Sequence, residues 1–475
     1  VLAGDTTVKR YGLIGLGVIG TLGLAAGIWW LLSKTSPAVP AASSLFSIGI
    51  FLLVFAAISL RWMHETAAAL LGAVTVWLVH YVGRAFFPSL TIIGFEQSMT
   101  FVDWNVIFLI LGMMIFVALL SETGIFGWLA FRAFRLAGGN TWLLGMILVL
   151  LTGVTSAFLN DVTAILLLVP LSIQIAQTVG ISPFAYVIPE VLASNIGGAA
   201  TIIGDPPSTI VGSHLSLGFV EYLVNMAPIA ILCMLVLLVG TTLLYWREFS
   251  GARERLAPDM VAQMEASARI TDVPLLRKAG VVGFLTLALF FSGDWFDLPP
   301  SVIALAGAGV LVAWVRPDMH RMLREVDWTT LVFFIGIFVV VGGLDATGVI
   351  ARVAGVIGEL AGNSLTQATA LMVWVPGIAS GVVANIPFTV AALPIADYLT
   401  AAIPEAGNQV LYWALILGAD LGGNATYLGS APNMVAVGLL AQAGYRLSFG
   451  RFMRDGVPVT GATLLLASAW LFLCF

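Results

Sequence analysis

The chain has 475 residues, of which 60% are hydrophobic and only 9% charged, with a formal net charge of −5. A soluble domain carries about 25% charged residues, so this chain cannot cover itself with a solvated surface, and its charge gives no basic face for nucleic acid. The two cysteines, Cys233 and Cys474, sit in separate apolar stretches, which excludes a disulfide framework and a cysteine metal site.

In chain order the long apolar runs are 11–32, 45–60, 67–82, 106–120, 142–159, 227–246, 279–292, 302–315, 331–344 and 457–475. A bilayer core of about 30 Å takes roughly 20 helical residues, and several runs reach that length with their flanks. None alternates polar with apolar residues as a membrane β-strand does. Lys9-Arg10 precede the first run, but it is too long for a signal peptide and closes on Trp29-Trp30 and Lys34 without a small-residue cleavage site. Residues 1–44 are therefore expected to form an extra N-terminal membrane helix.

An internal repeat follows. Val102-Asp103-Trp104 returns as Val326-Asp327-Trp328, Gly112 as Gly336, Thr123-Gly124 as Thr347-Gly348 and Ala137-Gly138 as Ala361-Gly362, each 224 positions later (327 minus 103). Asn160 aligns with Asn385, Ile196-Gly197-Gly198 with Leu421-Gly422-Gly423, Thr201 with Thr426, Gly204 with Gly429 and Pro207 with Pro432, each 225 later. One spacing with a single slip divides the chain into a first repeat, 45–247, a linker, 248–278, and a second repeat, 279–475.

The linker region carries Arg247, Arg253, Arg255, Arg269, Arg277 and Lys278 and is assigned to the cytoplasm. Arg316, Arg321 and Arg324 fall on the same side two spans later, as do Arg446, Arg451 and Arg454 before the last run. Asp294 and Asp297 lie on the opposite side; so do Arg84 and Arg352, against the trend. With the N-terminus also cytoplasmic, the run after Asp103 points inward and its copy after Asp327 points outward. The repeat is inverted, the architecture of alternating-access transport. The expected fold is an all-α polytopic membrane protein with an inverted-topology repeat, two re-entrant hairpins and two unwound membrane helices.

Such a fold breaks its helices at mid-membrane, where the breaks line a cavity. The first hairpin tip is Asn160-Asp161, and its copy is Asn385-Ile386. The first unwound stretch, 194–207, holds three glycines and two prolines in an apolar context, and its copy is 420–433. The expected substrate ligands are Asn160, Asp161, Thr163, Asn195, Gly197, Gly198, Thr201, Asn385, Thr389, Asp420, Asn424 and Thr426. Carboxyls at this depth are expensive and mark function. Asp161 is the first candidate for proton coupling, followed by Asp205 and Asp420, and then Glu190. The competing structural roles are a helix cap for Asp161, a helix start for Asp205 and a first-turn acid for Glu190. Asp103 and Asp327, each before a tryptophan, are read as helix starts. His64-Glu65 opens a zinc-protease motif, but position 68 is alanine where the second histidine belongs. No phosphate-binding loop occurs, no enzyme constellation is present, and neither a cofactor nor a metal is expected.

At these positions the sequence resembles the ArsB/NhaD/P-protein group of the ion transporter superfamily. The stretch Asn195-Ile196-Gly197-Gly198 through Gly204-Asp205-Pro206-Pro207 is close to that group's first unwound segment. Gly422-Gly423-Asn424 through Gly429-Ser430-Ala431-Pro432-Asn433 is similar to its second. The resemblance runs from about Phe46 to the C-terminus. It implies a substrate held between two hairpin tips and two unwound helices. Asn160-Asp161 is ordered as in arsenite permeases, whereas the unwound segments look more like P-protein. Dicarboxylate relatives carry Ser-Asn-Thr at each tip, and this chain does not. The resemblance thus implies a proton-coupled exporter of arsenite or antimonite, with a sodium/proton antiporter second and an anion channel of the same fold third. Expected partners are the small inorganic ion, protons or sodium as coupling ion, and the bilayer of the inner (plasma) membrane. A homodimer and a separate ATPase subunit are further arrangements open to the group.

Overall fold

The computed structural model describes residues 41–88, 90–250, 269–360 and 364–475. The membrane helix expected over 11–32 and most of the linker, 251–268, lie outside the described residues.

The described chain is helical. In order, its helices are α1 (Ala41–Ser59), α2 (Glu65–Leu78, prolonged through a π turn, Val79–Gly83), α3 (Trp104–Ser121), α4 (Ile125–Leu136), α5 (Thr141–Leu159), α6 (Asp161–Val179) and α7 (Phe184–Gly198). They continue as α8 (Pro206–His214), α9 (Phe219–Ser250), α10 (Val273–Ser292), α11 (Pro300–Val315), α12 (Met319–Glu325) and α13 (Trp328–Ala346). The last are α14 (Val349–Leu360), α15 (Leu365–Ser380), α16 (Asn385–Ala402), α17 (Val410–Gly422), α18 (Ala431–Gln442) and α19 (Phe449–Cys474). Among the described residues, nine helices are long and apolar enough to cross a membrane.

The chain forms two compact units, and each draws on both sequence repeats. The first takes the stretches up to Asp103, from Trp328 to Ala368 and from Val390 to Leu411. In it α13 lies against α2. A side chain at Gly336 would come within 2.9 Å of the Ala69 carbonyl carbon. Ser44 Oγ donates to Thr347 O (3.0 Å), and Trp77 Nε1 to Ser98 Oγ (3.0 Å).

The second unit takes Trp104–Asp327, Thr369–Thr389 and Tyr412–Phe475. Here α3 crosses α11 as closely as α13 crosses α2, because a Cβ on Gly112 would lie 2.7 Å from the Ala304 carbonyl carbon. The recurrence of Gly112 as Gly336 thus has a packing cause: small residues let membrane helices approach where apolar burial supplies no drive. Phe131, Leu144, Tyr186, Tyr245 and Phe249 pack the interior between α4, α5, α7 and α9. The unit also holds the hairpin α5–α6, the tip of the hairpin α15–α16 (Thr369–Thr389) and two broken helices, α7/α8 and α17/α18. The first hairpin's arms are 19 residues each, longer than their apolar flanks suggest.

Local chemistry sets the breaks. Asn160 takes φ 81° and ψ 137°, outside the helical range, and its side chain accepts from Val162 N (3.1 Å). It therefore ends α5 and caps α6. Pro206-Pro207 opens α8 and Pro432 opens α18, where a missing N–H costs nothing.

Candidate functional site

In the second unit each hairpin tip is pinned to the broken helix of its own repeat by the same three bonds. Asp161 N donates to Gly204 O (3.1 Å), and Asn385 N to Gly429 O (3.0 Å). Ser156 Oγ donates to Ser194 O (2.7 Å), and Ser380 Oγ to Ala419 O (2.6 Å). Thr201 Oγ1 donates to Ala157 O, and Thr426 Oγ1 to Gly381 O (2.6 Å). These pairs correct the alignment of the tips. The equivalent of Asn385 is Asp161, not Asn160, and the one-residue slip falls after the tip. The identity of two asparagines concealed this; the backbone bonding reveals it.

Two polar constellations follow, related by the repeat. The first holds Asp205, Ser208, Asn385 and Asp420, all buried. Asn385 Nδ2 donates to Asp205 Oδ2 and to Asp420 Oδ1 (3.4 Å each), and Ser208 Oγ donates to Asp420 Oδ2 (3.3 Å). The Asp205 and Asp420 carboxyls face each other within bonding reach, and buried Asp161 is close enough for its charge to act on both. Asp205 Oδ1 has no partner. Asp205 heads α8 without capping it, so its carboxyl belongs to the cluster rather than to the helix start. Asp161 Oδ1 accepts from Val162 N (2.7 Å), so one of its oxygens does share the cap with Asn160.

The second constellation puts Asn195 where the first has Asp420, Ser430 where it has Asp205, and Asn433 where it has Ser208. Asn195 Nδ2 donates to Asn424 Oδ1 (2.7 Å) and Asn433 Oδ1 (3.0 Å), and Ser430 Oγ to Asn195 Oδ1 (3.0 Å). Asn433 Nδ2 donates to Gly423 O (2.8 Å) and Thr426 O (2.9 Å), and Asn424 Nδ2 to Leu192 O (3.3 Å). This half is neutral and its hydrogen bonds close on themselves. The other half carries carboxyls and is left with acceptors to spare. Asn195→Asp would set a carboxylate against two carbonyl oxygens. It should cost about 3 kcal/mol of stability, read as a lowered melting temperature of the purified protein; an unchanged value would contradict the network.

Of the ligands expected from sequence, the structure brings Asn385 and Asp420 together in one cluster, with Asp161 near it, and Asn195 and Asn424 in the other. The hydroxyls of Thr201 and Thr426 are committed to fastening the tips. Thr389 Oγ1 donates to Asn385 O (2.9 Å) within α16, and Asn160 is a cap. Thr163 is half-buried on the first turn of α6 and joins neither cluster. Gly197 and Gly198 act through close backbone packing. Sequence reasoning missed Ser208 and Asn433, which directly follow the repeated prolines and are themselves 225 apart (433 minus 208). Glu190 lies apart from both clusters.

A cavity of about 430 Å³ opens beside α8. Its walls include Ile202 and Thr209, which flank Asp205 in sequence, and three carboxylates, Glu221, Asp294 and Asp297.

Hairpins pinned to broken helices, with uncompensated carboxyls where they meet, define a membrane transporter of the ion transporter type. The chain belongs to the citrate transporter family (CitMHS), which it matches over residues 50–418. It is 36% identical over 434 residues to an uncharacterized transporter of Mycobacterium tuberculosis, covering 90% of this chain and 98% of the relative. It is 31% identical over 489 residues to the human P protein, covering 86% of this chain and 57% of P protein. The P-protein side of the resemblance thus holds. Among solved structures, the YdaH transporter of Alcanivorax borkumensis superposes with a TM-score of 0.56 at 16% identity, covering 91% of this chain and 98% of that one. MtrF of Neisseria gonorrhoeae gives 0.55 at 12% identity, covering 95% and 97%. Both share the fold.

Proposed function

We propose that this chain is a secondary active transporter that exports a small inorganic ion, arsenite or antimonite, in exchange for protons by alternating access. The observation that carries the reading is the surplus of buried acceptors around Asp205 and Asp420. Asn385 and Ser208 are the cluster's side-chain donors, and Asp205 Oδ1 has none. Two facing carboxylates repel unless a proton, a cation or a donor-rich solute lies between them. Arsenite at neutral pH is an uncharged trihydroxide and brings three donors. A polycarboxylate such as the family's namesake brings acceptors and charge of the wrong sign. The acidic cavity beside α8 likewise favours cations and neutral solutes over anions. Its Asp294 and Asp297 lie on the outer side in the arrangement read from the arginines, with the N-terminus cytoplasmic and the protein in the inner (plasma) membrane. A sodium/proton antiporter is the second reading, favoured by the free Asp205 Oδ1, since carboxyl oxygens suit a hard cation.

The test is proton flux in inside-out vesicles carrying the protein, with arsenite and sodium added in turn. Arsenite-dependent proton movement that disappears in Asp161→Asn is the expected result. A response to sodium alone selects the antiporter, and proton-coupled arsenite flux unaltered in Asp161→Asn overturns the role of Asp161.

A further inference from the structure

Glu190 is a buried carboxyl that the tip clusters do not use. It sits on α7 between Thr152 of α5 and Ser172 of α6, and all three side chains are fully buried. Thr152 Oγ1 donates to Glu190 Oε2 over a long 3.5 Å. Ser172 Oγ lies beside the carboxyl, yet neither it nor Glu190 Oε1 has a hydrogen-bond partner. Three helices thus bring polar groups to one buried point and leave two atoms unmet, where each unmet group costs about 1–3 kcal/mol. The repeat shows that the fold does not require this. The matching positions of the second half are Leu415, Pro376 and Ala396, and that half builds the same hairpin and broken helix without the triad.

The charge around Glu190 is equally plain. α5 and α18 hold no titratable side chain, and that of α6 is Asp161, eleven residues from Ser172 (172 minus 161). Tyr186, one turn away on α7, donates to Thr141 O (3.0 Å). The buried titratable groups of α9 and α19 are engaged elsewhere. Tyr222 Oη donates to Ala199 O (3.4 Å), Cys233 Sγ to Thr463 O (4.0 Å) and Tyr245 Oη to Asp455 Oδ2 (2.7 Å). On α4, Arg132 and Arg135 are exposed. Arg451 of α19 lies over the Phe184 ring of α7 and pairs with Glu248 (3.6 Å), Arg454 pairs with Asp455 (2.8 Å) and Arg247 of α9 is exposed, so no cation among these compensates Glu190.

We propose that Glu190, with Thr152 and Ser172, is a proton-carrying site of the second unit, separate from the aspartates at the hairpin tips. Bound, the proton forms an O–H on Oε1 that Ser172 Oγ can accept. Released to water, it leaves a carboxylate to which both hydroxyls can donate. No electrons move, and the charge of the unit changes by one. The inference rests on the proton-coupled reading above only for the direction of flux; the site itself is tested without a substrate.

Infrared difference spectra of the purified protein in lipid, recorded across a pH titration, report protonated carboxyl groups directly. A carboxylic C=O band present in the wild type and in Asp161→Asn but lost in Glu190→Gln is the expected result. Thr152→Val/Ser172→Ala should shift that band and its titration midpoint. In vesicles, Glu190→Gln should lower the protons moved per substrate by about one while substrate exchange persists. A titrating band unchanged in Glu190→Gln overturns the proposal, whatever the substrate. A band lost on schedule in a protein silent to arsenite supports the site and rejects only the substrate assignment.

Discussion

Asp420→Asn should reduce transport about 100-fold while making the protein more stable. The two effects have one origin. Asp420 shares Asn385 with Asp205 and faces the Asp205 carboxyl. If the cluster holds a proton, a cation or a hydroxyl donor as proposed, removing this charge removes half of the site, and losing one partner of a buried polar or charged pair costs about 3 kcal/mol of binding. In the empty protein the new amide could donate to Asp205, whose Oδ1 has no partner. That relief is worth about 1 kcal/mol, read as a rise of a few degrees in the melting temperature. The position equivalent to Asp420 in the first repeat is already asparagine, Asn195, and the constellation around it closes its own hydrogen bonds. The variant therefore copies a local chemistry that this fold accommodates. Initial rates in vesicles and thermal unfolding of the same preparation check both effects. Loss of activity with loss of stability would show that Asp420 only supports the structure.

That asymmetry is where sequence and structure part company. The repeat, the hairpins, the breaks at Gly197 and Gly422 and the burial of Asp161, Asp205 and Asp420 were all legible, because clustered glycines and prolines break a helix and carboxylates are costly within apolar spans. The pairing across the repeat was not. Asn160 and Asn385 match as letters, yet one is a cap and the other ligates two aspartates. Only the bonds Asp161 N to Gly204 O and Asn385 N to Gly429 O fix the register. The grouping of spans was also out of reach, since Gly112 meets Ala304 whereas Gly336 meets Ala69, and nothing local states that each unit takes helices from both halves. Thr201 and Thr426 read as ligands because hydroxyls near a break suit an ion. Their bonds to Ala157 O and Gly381 O instead satisfy carbonyls freed where α5 and α15 end.

Gly197→Ala should prevent the folded protein from accumulating. α7 passes α5 so closely that a Cβ on Gly197 would strike the Gly153 carbonyl oxygen, with Gly153 C and Cα each only 2.7 Å away. The repeat makes the same contact, for Gly422 would place its Cβ on the Gly377 carbonyl oxygen, with Gly377 C at 2.7 Å. Backbone cannot rotate aside as a side chain can, so the helices must separate, at about 2–4 kcal/mol for each site. Separation also draws Ser156 away from Ser194 O and the tip away from the break, so surviving protein should transport poorly. Gly438→Ala and Gly461→Ala are the controls. Both lie in helices with nothing within 4 Å of the added carbon, and each should be neutral or stabilising by about 0.4–1 kcal/mol. Fluorescence-detected size exclusion after mild heating separates the cases: monodisperse protein from the controls and none from Gly197→Ala or Gly422→Ala. Wild-type recovery of Gly197→Ala would mean that the crossing is looser than drawn, and that the glycines repeat for the geometry of the break alone.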